Sequence, residues 1–276
     1  MFFIFQRKKE VKDEKLALQE DKRKLQDQIE KLKKDKEKET QLKYAEKFDD
    51  VILAVSKFVN GYTTPKTIIV NLDELLNKMS SIFRELKGVD CCFTVKIIKQ
   101  GEKIETLCRT DSKNKRYNRE DFQRYHSDFE DFLNNNTDLF SIFGKQKHEN
   151  IKGRYVRFFS NNLPLEQNYK HSHLEKTDYH NNVKKLVDDH GYSIEEASNK
   201  LWNLPYKSTI VIPIGLMEKK HNDPDFQYIG TICVDSEEKN VFNKGTDISI
   251  LQSIAETIYV TFRASNKKVK SADSKI

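Results

Sequence analysis

Residues 206–262 read YKSTIVIPIGL (206–216), a polar loop, YIGTICVD (228–235), a short acidic turn closing on VF (241–242), and the periodic run DISILQSIAETIYVTF (247–262). The first two segments are rich in Ile, Val and Thr, which suit a pleated, half-buried surface. In the third, apolar residues recur every three or four positions, the spacing of one helix face. The stretch therefore predicts two strands joined by a polar hairpin and closed by an amphipathic helix.

The rest of the chain is read outward from this unit. CCFTVKII (91–98) and KIETLCRT (103–110), separated by Lys99-Gln100-Gly101-Glu102, predict a second hairpin. Before it, Leu72, Leu75, Leu76, Met79, Ile82, Phe83 and Leu86 predict a helix capped by Asn71 or Asp73 and stopped by Gly88. Tyr44, Phe48, Val51, Ile52, Val55, Phe58 and Val59 predict that the long charged helix preceding them continues with a more apolar face until Gly61 and Thr64-Pro65 stop it.

Residues 1–46 are a different material. From Lys8 to Glu46 there is neither Gly nor Pro, and Lys, Glu, Asp, Gln and Leu dominate. These are strong helix formers. Leu18, Leu25 and Leu32 stand seven apart with Ile29 between the last two, whereas Lys15, Lys22 and Lys36 hold the other seam positions. Such a half-filled heptad seam predicts a weak coiled coil, with Leu18, Leu25, Ile29 and Leu32 as the dimer contacts. A solitary charged helix or a disordered tether is the competing reading. Ahead of it, Phe2, Phe3, Ile4 and Phe5 precede Arg7, Lys8 and Lys9. The burst falls short of the ~20 apolar residues of a membrane span. It reads either as an exposed end or as a peripheral membrane contact, apolar rings in the interface and basic residues over anionic lipid. Cytoplasmic residence, with that membrane contact as a variant, is the expectation.

Charge narrows the functional classes. The net charge is +6, but residues 1–47 hold fifteen Lys and Arg against eleven Asp and Glu, and 263–276 hold five against one. The intervening segment is close to neutral, which argues against a nucleic-acid-binding domain. Cys91, Cys92, Cys108 and Cys233 sit in strand-like segments without paired spacing and read as reduced, buried thiols.

Segment 111–206 contains fifteen of the chain's 29 Phe, Trp and Tyr residues and six of its seven His. So many aromatics must be buried. Phe122, Tyr125, Phe129, Phe132 and Leu133 predict a helix, GRYVRFF (153–159) a strand, and Val183–Val187 and Ile194–Trp202 two helical pieces. His171, His173, Asp178 and His180 have the composition of a metal site, but a His-x-His in a polar loop is a weak signal, and no metal is expected. Asp188-Asp189-His190-Gly191 reads as a helix end with Gly191 in the left-handed position. No glycine-rich phosphate loop is present, and Ser208 lacks the setting of a catalytic nucleophile. No catalytic residue is assigned and no enzyme activity is expected.

The order helix, helix, hairpin, lid, strand, crossover, hairpin, helix resembles a GAF domain over residues 47–264. The residues that carry the resemblance are Tyr206-Lys207-Ser208 leading to Ile212-Pro213-Ile214, then Ile229-Gly230-Thr231, Asp235-Ser236, and Phe242 before Asp247. The resemblance implies an α+β fold: a central antiparallel sheet of about six strands with helices on both faces, preceded by the long charged helix. It also implies a lid at 111–206 over the face where family members hold ligands. Arg154, Tyr155, Arg157, Phe159, Trp202 and Tyr206 are the candidate ligand contacts, of which the aromatics could equally be core. The chain departs from the best-known branches. It has no Asn-Lys-Phe-Asp-Glu motif, no Cys in the lid, and its cysteines lie in strands. The expectation is a dimeric sensory or regulatory module with a small-molecule ligand of unknown identity, signalling to a separate protein; a ligand-free scaffold is the alternative, and a metal-dependent enzyme using the lid histidines the third, least favoured reading. SNKKVKSADSKI (265–276) is expected to be disordered.

Overall fold

The computed structural model describes residues 2–61, 65–99, 103–110, 133–144, 157–166, 168–171, 174, 177–215 and 228–273, with backbone alone at 2–18, 21, 65–66, 99, 103, 144 and 266–273. Two units are distinguished, Met1–Asp50 and Val51–Ile276. The boundary falls four residues after the Lys47 expected from sequence.

The first unit is helix. It forms most of α1 (Phe2–Asn60), which begins within the Phe2–Phe5 burst. Glu20–Lys24, Glu30–Lys34 and Glu39–Lys43 pair at i,i+4 with the acid nearer the N-terminus, the better orientation. Leu25, Ile29 and Leu32 are exposed. Among the described residues, no helix is long and apolar enough to cross a membrane.

The second unit is built on a sheet. Its helices are α2 (Pro65–Lys87), α3 (Tyr179–His190), α4 (Ile194–Leu201) and α5 (Thr246–Asp273). Its strands are β1 (Cys92–Lys99), β2 (Lys103–Arg109), β3 (Phe158–Ser160), β4 (Ser208–Ile214) and β5 (Gly230–Ser236). The strands form one antiparallel sheet in the order β2-β1-β5-β4-β3. Both predicted hairpins are present, and β1–β2 contains a register shift at Val95/Lys96. Five strands are found among the described residues against the six expected. Most of the predicted strand 153–159 and the predicted helix 122–133 lie outside the described residues.

The two sheet faces differ in chemistry. Phe93, Val95, Ile210, Ile212, Ile232 and Val234 point to one side and pack with Val51, Ala54 and Phe58 of α1 and the apolar stripes of α2 and α5. Phe83 of α2 meets Phe93 edge to face, ring centroids 5.1 Å apart. This is the main core. Each Ile or Phe buried there stabilises by about 1.5–3 kcal/mol. The second face is covered by two smaller clusters, one around Leu133, Leu139 and Ile142 and one around Leu163, Tyr169, Leu174, Tyr179 and Leu204.

Two boundaries correct the sequence reading. α2 starts at Pro65, where proline's missing N–H costs nothing, so Asn71 and Asp73 lie inside the helix rather than capping it. At its other end Gly88 takes φ +71° and its N–H donates to the Arg84 carbonyl, as expected. α5 continues to Asp273 across most of the segment expected to be disordered; Ser265 to Asp273 contains no Gly or Pro to end it.

Candidate functional site

The aromatic lid is the first element of the site. Tyr169, Tyr179 and Trp202 pack as tilted and edge-on rings at centroid separations of 5.4–6.2 Å, and Phe158 joins Tyr169 at 5.7 Å. Trp202 Nε1 donates to the Tyr206 carbonyl at 2.8 Å, and the Tyr179 hydroxyl reaches the carbonyls of Pro164 and Ser198. Burial pushes the Tyr169 phenol well above its usual range, with Tyr206 beside it adding to the effect. α3 and α4 hold this cluster. α3 ends at Gly191 with φ +68° and paired bonds back to Val187 and Leu186; α4 starts with a Ser193–Glu196 capping box.

The predicted ligand contacts separate on this frame. Trp202 and Tyr206 lie together in the lid. Arg157 is exposed immediately before β3. Phe159 packs on the helix-side core, so the β3 ring that faces the lid is its neighbour Phe158; the period-two pleat puts adjacent residues on opposite faces. Arg154 and Tyr155 fall outside the described residues. Of the histidine group, His180 Nε2 is bonded to the Tyr169 carbonyl at 2.9 Å and His171 stands edge-on to Tyr206, while His173 lies outside the described residues. Among the described residues no three His, Cys, Asp or Glu side chains are grouped to hold a metal.

The floor beneath the lid went unassigned in the sequence reading. In register across the sheet, Arg109, Thr94, Cys233 and Val211 form one row, and Thr106, Lys96, Thr231 and Pro213 the next. Cys92, Asp235 and Thr209 form a third. Thr94, Thr209 and Thr231 are fully buried. Burial pushes the Asp235 carboxyl up, against the opposing pull of a 2.6 Å hydrogen bond from the Thr209 hydroxyl and of Arg109 and Lys96. Asp138, in a helical turn above the sheet (Thr137–Leu139), is also pushed up by burial, with Lys96 opposing, and accepts the Leu139 N–H. Burial drives Cys233 up to about 12, which holds it as the thiol at neutral pH. A signal for this floor did exist: CFTVKI and TICVD alternate polar and apolar residues at period two.

A cavity of about 560 Å³ opens at the end of this floor. Arg109, Asp235 and Cys92 line it from the sheet, Tyr206 and Pro205 from the lid side, Ser80 and Arg84 from α2 on the opposite face, and Asp90, Glu237 and Glu238 from the turns at the sheet's end. Arg84 and Asp90 form an exposed ion pair. The volume falls in the range of small-molecule sites.

An antiparallel sheet with the end of α1, α2 and α5 in the core on one face and a lid on the other is the layering that the resemblance over residues 47–264 implies. The fold is GAF-like. No family model matches the sequence, and no curated protein matches it. Among solved structures, the chain is similar to the GAF domain of a phosphoenolpyruvate-protein phosphotransferase from Coxiella burnetii, at 11% identity and TM-score 0.43, covering 80% of this chain and 97% of that one. The corresponding Acinetobacter domain gives 12% identity and TM-score 0.42, with 80% and 95% covered. A type II free methionine-R-sulfoxide reductase from Thermoplasma acidophilum gives 12% identity and TM-score 0.38, with 70% and 93% covered. The GAF-like fold is read from the element order and layering of this chain.

Proposed function

We propose that this GAF-like chain is a sensory or regulatory module that dimerises, takes a small polar molecule on the lid side of its sheet, and signals to a separate partner protein. One observation carries the ligand reading. The helix-side face is apolar, whereas the lid-side face combines buried Thr94, Thr209 and Thr231 with Lys96, Arg109 and Asp235 and opens on a cavity. A face that carries hydroxyl, carboxyl and basic groups toward a lid and a cavity offers a small polar ligand donors and acceptors, which the apolar face does not. Arg109 and Asp235 would bind opposite charges or a donor–acceptor edge of the ligand, with the Tyr206 ring as a wall. Trp202, Phe158, Arg157, Arg154 and Tyr155 complete the proposed lid contacts. Dimerisation is assigned to Leu18, Leu25, Ile29 and Leu32. Ligand binding would favour one packing of the domain helices, and a partner would read that choice.

A ligand-free dimeric scaffold is the second reading. It is favoured by the packing of Tyr169, Tyr179 and Trp202 against one another, which fills the lid without a guest.

Native mass spectrometry of gently purified protein, with Arg109→Gln/Asp235→Asn alongside, separates the two. Extra mass on a dimer that vanishes in the double variant supports the sensor. A clean dimer from both supports the scaffold, and a monomer overturns the seam.

A further inference from the structure

The connection between β5 and α5 is held from the end of β3 and from the end of α2. Asn161, directly after β3, clamps the backbone of Phe242: its Nδ2 donates to the Phe242 carbonyl at 2.8 Å and its Oδ1 accepts the Phe242 N–H at 3.0 Å. Its own carbonyl accepts from the Asn240 N–H and from the Ser208 hydroxyl. The next residue, Asn243, caps α5 by accepting the N–H groups of Gly245 and Thr246, and its own N–H donates to Asp247 Oδ2 at 2.7 Å. That same carboxylate oxygen meets Lys87 Nζ of α2 at 2.6 Å, in a pair with side chains only 0% and 8% exposed.

We propose that this connection is a relay by which the lid sets the position of the first turn of α5 against α2. The proposal rests on the reading that the lid side takes a ligand, and it adds how occupancy would leave the site. Asn161 is placed to report on the lid. Its neighbour Ser160 donates to Glu166, and Leu163, two residues on, is buried in the Tyr169–Tyr179 cluster while its N–H is held by the Lys207 carbonyl. Phe242 is placed to pass the movement on, because its ring is buried in the main core between sheet and helices. A side-chain amide bonded to both backbone groups of one residue copies a strand pair, so Asn161 and Phe242 move as one body. From Phe242 to Lys87 the links are one peptide bond, the Asn243–Asp247 hydrogen bond and the Asp247–Lys87 ion pair. A network with two discrete packings transmits a shift, whereas a soft one absorbs it.

Hydrogen exchange on the full chain tests this with Asn161→Leu, similar in size and without donors or acceptors. Amides of the lid near Leu163 and Leu174 and those of the first turns of α5 should both exchange about tenfold faster, while the β4–β5 amides keep their protection. Loosening of the lid alone, of α5 alone, or of neither overturns the relay. Should Asn161→Leu fail to fold, Asn161→Asp keeps the acceptor for the Phe242 N–H and loses the donor; the same joint response, smaller, is expected, and a one-sided response overturns it. Native mass spectrometry of the same variants keeps the two readings apart. Unchanged dimer and bound mass without joint loosening removes the relay and leaves the sensor standing, whereas joint loosening with no bound mass in the parent chain keeps the relay as a mechanical link and removes the sensor.

Discussion

At the residue scale, Gly230 shows how a small residue can hold a sheet together. A Cβ built there would lie 2.0 Å from the Lys96 carbonyl oxygen, so the β1–β5 ladder requires hydrogen at this position. Gly230→Ala should cost about 3 kcal/mol by denaturant unfolding; a cost below about 1 kcal/mol would mean that the strands spread at little expense. Asp138 makes the opposite point. Burial raises its folded pKa above the unfolded value, so its protonated form is favoured by folding. The associated stability is fully present below the unfolded pKa and is lost as pH rises through the folded one. Asp138→Asn, which keeps an oxygen for the Leu139 N–H, should therefore melt higher than the parent at pH 7, with the gap closing as pH falls toward 4. A gap independent of pH would assign the change to packing.

At the element scale, the polar contact that ties α2 to α5 is the buried Lys87–Asp247 pair. Removing one partner leaves the other charge buried, so Lys87→Ala should destabilise by about 3–5 kcal/mol in denaturant unfolding. Lys87→Met with Asp247→Leu removes both charges and should recover most of that; equal losses in both variants would show the pair to be incidental. Nothing in the sequence announces this contact, because the partners meet only once both helices have packed on the same face of the sheet. The same holds for Asn161 and Phe242, 81 positions apart. What was legible is local. The Ile- and Val-rich runs of β4 and β5, the Lys99–Glu102 break between β1 and β2, and the glycine stop of α2 each follow from propensity or backbone sterics. The start of α2 was misplaced because Asn71 and Asp73 look like caps, while the residue that matters, Pro65, also looks like a breaker. The site was legible only in part. The lid aromatics stand out by number, and the polar floor was written in period two but was overshadowed by them.

For the whole molecule, Leu25→Asp/Ile29→Asp provides the test of self-association. Both side chains are exposed within α1, 58% and 44%, so the change should leave the fold intact. Sedimentation should show a dimer shifting toward monomer; an unchanged dimer would move the interface elsewhere. The two-faced sheet has a wider consequence. Successive residues of β5 face different surroundings: Ile232 and Val234 the main core, Thr231, Cys233 and Asp235 the lid side. Rewriting every second letter of this strand can therefore change the chemistry of the lid side, while the alternate letters keep the molecule folded through the transition.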